Sequence, residues 1–306
     1  MRTIFLCIIL FCGNLFAASS VQETIASTYS PWSFSAFSLL SVEGDQVDKG
    51  GSIFSYNYIG PNYRLNFDER LSFKVPFLMN TAGFDRYNDT CVQDQNAELA
   101  DPFFNYSNYN LVLLPGEIDT YWDGRVYLPL SKSSRRQKMI GRVRSNFIFS
   151  KLITQNLEAE WRNEFNYYHQ SKSTYVAQGT NDQCEVADNN NPSNTRRIRM
   201  DNWINVWYRI NRRWSLGVST VFREEHRNRS ETVDTSRQRN GRMRELSVRT
   251  GPTVKWIAGP NVSFIATFSD KIEYSGFHPN SLDNMADLGK FKSENTEFTL
   301  NSFIRF

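Results

Sequence analysis

Apolar residues recur with a period of two along most of this chain, in segments separated by gaps that alternate between short and long. In NVSFIATFSDKIEY, for example, Val262, Phe264, Ala266 and Phe268 fall on one face of a strand, and the residues between them are largely polar. A sheet with one apolar and one polar face requires this alternation. Helical spacing is not sustained anywhere in the chain, so the sequence predicts an all-β fold.

The alternation predicts twelve strands. They lie near residues 33–43, 51–66, 69–80, 102–113, 117–129, 139–150, 156–169, 197–210, 213–225, 243–257, 261–273 and 294–306. The connections FDE, LPG, LITQ, NRR and AGP are tight turns, and the connections between them are longer. Short turns on one side, long loops on the other and an even number of strands are typical of a barrel that spans an outer membrane. A soluble β-sandwich is the alternative, with the aromatic residues filling a core between two sheets.

The last strand supports the membrane interpretation. It reads NTEFTLNSFIRF, with Phe298, Leu300, Ile304 and Phe306 on one face. In this respect the chain resembles the transmembrane β-barrel proteins of bacterial outer membranes, whose final strand ends in an aromatic residue that the barrel-assembly machinery reads. The resemblance concerns architecture, in a porin-like class, and includes no motif of one specific family. It implies a closed antiparallel barrel with short periplasmic turns and long extracellular loops, located in the cell outer membrane.

The two ends of the chain suggest one exported domain. Residues 1–17 combine an early Arg2, an apolar run and small residues before the expected cleavage site, which predicts a signal peptide. Residues 18–306 contain no linker-like segment and are predicted to form a single barrel domain. The two cysteines of this part, Cys91 and Cys184, fall in the second and fourth long gaps. Because an exported protein matures in an oxidising compartment, we expect a disulfide between them.

Large aromatic residues provide an independent indication. Residues predicted to face lipid beside the short turns form a girdle at one interface: Phe67, Phe149, Tyr208, Trp214, Trp256 and Phe306. If Phe306 faces lipid, the alternate residues of each strand face the lumen. The charged members of this inward set are Arg64, Lys74, Asp119, Asp123, Arg125, Arg142, Arg144, Glu158, Glu160, Arg162, Glu164, Arg199, Asp201, Arg209, Arg223, Glu245, Arg249 and Lys255.

Two interpretations of the inward set remain open. The charged residues could line a narrow, porin-like channel that transports small polar or anionic solutes, since basic side chains outnumber carboxylates among them. They could equally pair with one another across strands and fill the lumen. In the second case the chain would be a closed structural or adhesive barrel that works through its loops. We expect a monomer.

The overall charge gives no indication of nucleic-acid binding, because 35 basic residues face 32 acidic ones. Three consecutive outer loops and strand ends, with the sequences SKSSRRQK, NTRRIR and REEHRNRSETVDTSRQRNGR, are rich in arginine where lipopolysaccharide phosphates would lie. Arginine forks suit phosphate recognition. We therefore expect contacts with outer-membrane lipid and lipopolysaccharide, although ordinary solvated loop charge explains the pattern equally well.

Catalysis has weak support in the sequence. His169, His226 and His278 are the only histidines, and each is predicted at the outer end of a strand or in a long loop. A hydrolase at the extracellular rim could use His169 or His226 with Glu224, Glu225 or Asp201. No metal-ligand or phosphate-loop motif is present, so no metal and no cofactor is predicted.

Overall fold

One sheet closes on itself into a twelve-stranded antiparallel barrel. The computed structural model describes residues 30–44, 53–80, 83–85, 90–92, 96–112, 114–176, 192–228, 244–275 and 296–306. The barrel strands are β1 (Trp32–Glu43), β2 (Phe54–Arg64), β3 (Glu69–Asn80), β4 (Phe103–Asn108), β5 (Ile118–Tyr127), β6 (Met139–Leu152), β7 (Leu157–Gln170), β8 (Arg196–Arg209), β9 (Trp214–Arg227), β10 (Arg244–Gly259), β11 (Val262–Ser275) and β12 (Thr296–Arg305). The predicted fold class is confirmed.

The first and last strands close the barrel. Strand β1 pairs with β2 on one side and with β12 on the other, so that Phe37 lies opposite both Tyr58 and Phe303. Closure leaves no unpaired sheet edge, which in hydrocarbon would expose backbone N–H and C=O groups without partners. The soluble β-sandwich is therefore the wrong alternative.

The outer surface of the barrel is apolar. Phe104 is 55% exposed, Ile204 50% and Val218 51%, all on the outward side of their strands. Side chains of this kind stay exposed because they face hydrocarbon and not water. Within the described ranges, no helix has the length and apolar character needed to cross a bilayer.

The predicted aromatic girdle lies on this outer surface beside the short turns. The rings of Trp214 and Trp256 stack with centroids 5.6 Å apart, and Trp256 stacks on Phe264 at 5.2 Å. Phe149 stacks on Trp161 at 5.3 Å. Such rings sit at the boundary between hydrocarbon and headgroups, so they mark the periplasmic interface of the barrel.

Strand β4 is shorter than the sequence suggested. It ends at Asn108 and not near residue 113, and residues 109–112 and 114–117 belong to a longer periplasmic connection. Thr120 explains this difference, because its hydroxyl donates to the carbonyl of Val112 at 2.7 Å and accepts from the Val112 N–H at 2.9 Å. The chain then turns through Gly116 and Glu117, both with positive φ. Local polar contacts therefore outweigh the apolar pattern of this segment.

On the extracellular side the structure describes short elements only. They are the paired strands Gly83–Asp85 and Thr90–Val92, the strand Asn96–Leu99 beside β3, helix α1 (Lys132–Arg136), and the paired strands Thr174–Val176 and Pro192–Asn194. The helix lies in a segment that the sequence suggested to be a loop, and its N-cap is Ser131, whose side chain accepts from the Ser134 N–H at 3.0 Å. The predicted signal peptide and Cys184 lie outside the described residues.

Two Gly-Pro pairs mark places where neighbouring strands approach closely. They are Gly60 with the following proline on β2, and Gly251 with the following proline on β10. A Cβ added at Gly60 would lie 2.0 Å from the carbonyl oxygen of Phe73, and one at Gly251 would lie 2.0 Å from that of Phe268. Glycine is required at both positions because a side chain would collide with backbone.

Candidate functional site in the barrel interior

The predicted inward set does face the interior of the barrel. Residues directly opposite each other on neighbouring antiparallel strands share one face of the sheet. Following these pairs around the barrel from Phe37 places all members of the predicted set on the inward face. Whether they line an open path stays a prediction.

Two neighbouring rows of inward residues run across strands β5 to β9. The carboxylate row consists of Asp123, Asn146, Glu164, Asp201 and Arg223, each directly opposite the next. The guanidinium row lies two residues nearer the extracellular end and consists of Arg125, Arg144, Asn166, Arg199 and Glu225. Charged side chains of opposite sign therefore face each other both across and along the strands.

Asp123 accepts from three side chains. Arg125 Nε lies 3.1 Å and Arg144 Nη2 lies 3.0 Å from its Oδ1 atom. The amide of Asn146 donates to Oδ2 at 2.7 Å. Because Asp123 is 2% exposed, these partners replace the water that an ionised carboxylate would otherwise need.

Glu164 has an equivalent environment two strands away. Arg144 Nη1 and Arg162 Nη2 each lie 3.1 Å from its Oε2 atom. Asn166 donates to Oε1 at 2.9 Å and its own carbonyl oxygen accepts from Arg142 at 2.6 Å. The amide thus connects the carboxylate to a further cation.

Asp201 is the third carboxylate of the carboxylate row. Arg199 Nε and Arg223 Nε lie 2.6 Å from its two oxygen atoms, and Asp201 itself is fully buried. Each carboxylate of the row is therefore bound by two guanidinium groups. Such short, charge-assisted hydrogen bonds are the stronger class of polar contact in proteins.

In two of these ion pairs the arginine is more exposed than the carboxylate that it binds. The side chain of Asp201 is 0% exposed and that of its partner Arg223 is 24% exposed. For Glu164 and Arg162 the values are 7% and 31%. In these two pairs the positively charged partner covers the negatively charged one.

The wall formed by β1 and β12 is different. Its inward side carries Ser35, Phe37, Leu39, Ser41, Asn301 and Phe303. Lys74 on β3 is turned towards this wall, and its Nζ donates to the Ser35 hydroxyl at 2.7 Å and to the Asn62 carbonyl oxygen at 2.8 Å. The interior therefore has one side rich in arginine and another whose inward residues are mostly uncharged, with Glu297 of β12 bound to Arg249.

Comparison with solved structures identifies the architecture. An outer membrane channel from Pseudomonas putida F1 matches with a TM-score of 0.56 and 10% sequence identity, over 90% of this chain and 95% of that one. This chain has the fold of a bacterial outer-membrane β-barrel. The barrel matches no family model and no curated protein.

Weaker similarities cover a comparable share of the chain. A KdgM porin in complex with disordered oligogalacturonate matches the barrel with a TM-score of 0.41 and 8% identity, over 89% of this chain and 99% of that one. LpxR from Salmonella typhimurium matches with a TM-score of 0.39 and 10% sequence identity, over 89% of this chain and 99% of that one. A location in the cell outer membrane, expected from the sequence, agrees with the setting of the Pseudomonas putida channel and with the apolar outer surface.

Several predicted residues lie outside the two rows. Arg64 and Asp119 lie at the periplasmic ends of their strands. Arg209 and Glu158 are 3.8 Å apart, and Glu160 accepts from Asn205 at 2.7 Å. Glu245 pairs with Arg227 at 3.3 Å, Arg249 with Glu297 at 2.8 Å, and Lys255 lies 5.9 Å from the Trp207 ring centroid.

Sequence reasoning missed two kinds of interior residue. The amides of Asn105, Asn146 and Asn166 connect charged groups in the network, but a search restricted to charged residues does not find them. Glu225 and Glu297 were also missed. Their positions in β9 and β12 have the inward parity, so applying the same alternation to the whole strand would have found both.

The candidate hydrolase residues fall on opposite sides of the barrel wall. His226 and Glu224 both face outward, with His226 Nε2 2.7 Å from Glu224 Oε1, whereas Glu225 and Asp201 face inward. His169 also faces outward, with its ring centroid 6.5 Å from that of Tyr167. His278 lies outside the described residues. Of the predicted pairs, the structure therefore brings His226 and Glu224 into contact.

Proposed function

We propose that the barrel is a narrow channel for small polar or anionic solutes. The observation that supports this proposal is the covering of each carboxylate in the carboxylate row by two arginines. Five guanidinium groups, from Arg125, Arg144, Arg162, Arg199 and Arg223, contact three carboxylates, those of Asp123, Glu164 and Asp201, which leaves a surplus of two positive charges.

A surplus of this kind favours anions for an electrostatic reason. Charge on the wall of a confined passage with low-dielectric surroundings raises the local concentration of ions of opposite sign. A guanidinium carries five N–H donors and cannot be deprotonated in proteins, so the preference does not depend on pH in the physiological range. The channel from Pseudomonas putida F1 has the same fold, which is compatible with this role.

The test is a reversal potential measured across a planar lipid bilayer in a salt gradient. We expect small, discrete conductance steps and a modest anion preference. A cation preference would reject the charge argument. Complete absence of conductance would favour a closed structural or adhesive barrel that acts through its loops.

Arg142→Gln is the informative variant. Arg142 binds the neutral carbonyl oxygen of Asn166 at 2.6 Å and lies over the rings of Tyr127 and Tyr168, at 4.3 and 5.0 Å. Its removal takes away one positive charge without leaving a carboxylate unpaired, so we expect a weaker anion preference in a correctly folded barrel. Arg136→Gln is the matched control, because Arg136 is exposed on helix α1.

Hydrolysis at the extracellular rim is the second candidate function. It is favoured by the contact of 2.7 Å between His226 and Glu224, which is the geometry of a base and the carboxylate that orients it. Purified barrel incubated with phospholipid micelles or peptides would show turnover that His226→Gln removes. Equal turnover by both proteins would assign the activity to a contaminant.

A further inference from the structure

A groove lies on the outer wall of the barrel near its extracellular end. Its volume is about 370 Å³, and it crosses strands β7 to β10. The lining residues are Phe165, Arg197, Ile198, Met200, His226, Arg227 and Arg244. The groove is separate from the interior rows, because Phe165, Met200 and Ile198 have the outward parity of their strands.

The position of the groove relative to the bilayer follows from strand geometry. Ten residues of β8 separate Tyr208, at the periplasmic girdle, from Ile198. At about 3.3 Å per residue and a tilt of about 40°, they span roughly 25 Å along the barrel axis, the usual height of the apolar band. Ile198 therefore lies at the outer edge of the hydrocarbon, and the charged residues beyond it lie at headgroup level.

The groove combines an apolar floor with a basic rim. Phe165 lies opposite Met200 in the β7 to β8 register, and Ile198 lies opposite His226 in the β8 to β9 register. These apolar side chains lie at the level of the bilayer where the first methylene groups of a lipid chain are found. Arg197 and Arg244 border the same groove.

A bulge accounts for the place of Arg197. The register shifts between Arg196 and Ile198, so that Arg197 is an extra residue on β8. A bulge of this kind changes the direction in which a side chain points. Arg197 is exposed and has no ion-pair partner in the part of the chain that the structure describes, so its guanidinium is available to a ligand.

Glu224 holds the other side of the rim in place. Its Oε1 atom lies 2.7 Å from His226 Nε2 and 2.6 Å from Arg244 Nε. One carboxylate thus compensates the positive charge of Arg244. Together with Arg197, the rim keeps a net positive charge, and planar guanidinium groups suit the oxygen atoms of a phosphate.

We propose that this groove binds a phosphorylated lipid of the outer leaflet, with the phosphate on Arg197 and Arg244 and an acyl chain along Phe165 and Met200. Charge complementarity and the depth of the groove in the bilayer support this occupant. The lipid would stay attached during purification in mild detergent. This role is independent of conduction through the interior.

Native mass spectrometry of the detergent-solubilised barrel tests the proposal. The probes are diphosphoryl lipid A, its fully dephosphorylated form and inorganic phosphate. We expect the diphosphoryl lipid to bind at least about tenfold more tightly than the dephosphorylated lipid, and Arg197→Gln to remove about this difference. Arg212→Gln is the matched control, since Arg212 is exposed in the periplasmic turn between β8 and β9.

Three outcomes would overturn the proposal. Equal binding of the phosphorylated and dephosphorylated lipids would show that the rim makes no phosphate contact. Unchanged binding by Arg197→Gln, with unchanged heat-modifiable mobility on gels, would place the lipid elsewhere. Displacement of the lipid by millimolar inorganic phosphate would identify a simple anion site. A second variant, Arg244→Gln, should weaken binding in the same direction as Arg197→Gln.

Discussion

Asp123 and Glu164 share one guanidinium group although they lie on strands separated by a third. Arg144, on the strand between them, reaches both carboxylates, at 3.0 Å from Asp123 and 3.1 Å from Glu164. The two acidic residues are buried, and each has a further arginine of its own. The interior is therefore one connected network across these strands, and the predictions below depend on its connectivity and on the packing of the wall around it.

Replacing Arg144 with methionine should strongly destabilise the barrel. Two buried carboxylates each lose one cation, and breaking a buried ion pair costs about 3 to 5 kcal/mol. Unfolding in urea, followed by heat-modifiable mobility on gels, measures the loss. Arg136→Met, on the exposed face of helix α1, is the control. Adding Asp123→Asn to Arg144→Met should restore part of the stability, and a double variant as unstable as the sum of both changes would contradict the shared-cation arrangement.

A polar pair on the outward face gives a second prediction. Asn163 donates to the side-chain oxygen of Asn202 at 2.6 Å, on the lipid-facing side of β7 and β8. Asn163→Leu alone leaves one amide without its partner and should cost about 1 kcal/mol, whereas the double change to leucine should be neutral or stabilising. A double-mutant cycle in urea checks this. Additive effects of the two single changes would show that the contact has no energetic role.

The close approach at Gly251 gives a third prediction. An alanine there would place its Cβ 2.0 Å from the Phe268 carbonyl oxygen, so β10 and β11 must separate. We expect Gly251→Ala to unfold at a clearly lower temperature than the unmodified barrel or to fail in assembly. Gly141→Ala is the matched control, because a Cβ at Gly141 meets nothing within 4 Å. Equal melting of the two variants would rule out the proposed collision.

The disulfide between Cys91 and Cys184 is a fourth prediction. Cys91 pairs with Phe84 in a short hairpin on the extracellular side, and Cys184 lies outside the described residues. Closing a loop of this length would stabilise the barrel by about 4 to 5 kcal/mol in the chain-entropy model. Thiol labelling of protein purified without reductant, before and after reduction, should find both thiols only after reduction. Labelling of both thiols without reductant would contradict the bond.

The anion preference should depend on ionic strength. The screening length is about 10 Å at 0.1 M salt and about 3 Å at 1 M, so the field of the surplus arginines extends across a narrow lumen only in dilute salt. Reversal potentials measured at a constant concentration ratio should therefore approach zero selectivity as both concentrations rise. A preference that stays constant would indicate selection by size or by direct binding.

The sequence was sufficient to predict the barrel, its strand count and the inward parity of the charged residues. All of these follow from a period of two along most of each strand, as in the inward sequence Glu158, Glu160, Arg162 and Glu164 of β7. The exact ion-pair partners of these residues were not predictable, because the pairing of side chains on two strands depends on the register between them. The contact between Asp201 on β8 and Arg223 on β9, for example, is invisible to an alternation that is counted along one strand.

Local exceptions to the alternation were also not predictable. The early end of β4 depends on the hydroxyl of Thr120, a contact eight positions along the chain from Val112. The groove on the outer wall depends on the register shift beside Arg197, which adds one residue to β8. The residue types at these two positions do not indicate either exception. Each exception depends on contacts between two segments that come together only in the folded barrel.

The shared guanidinium of Arg144 also affects how the barrel assembles. If β6 slipped by one residue against β5 or β7, Arg142 and Arg144 would both turn towards hydrocarbon, at a cost of about 2 to 4 kcal/mol for each arginine near the bilayer midplane. Asp123 and Glu164 would lose their common partner in the same step. The interior rows therefore make a shifted strand register energetically unfavourable, whether or not a solute ever passes through the finished barrel.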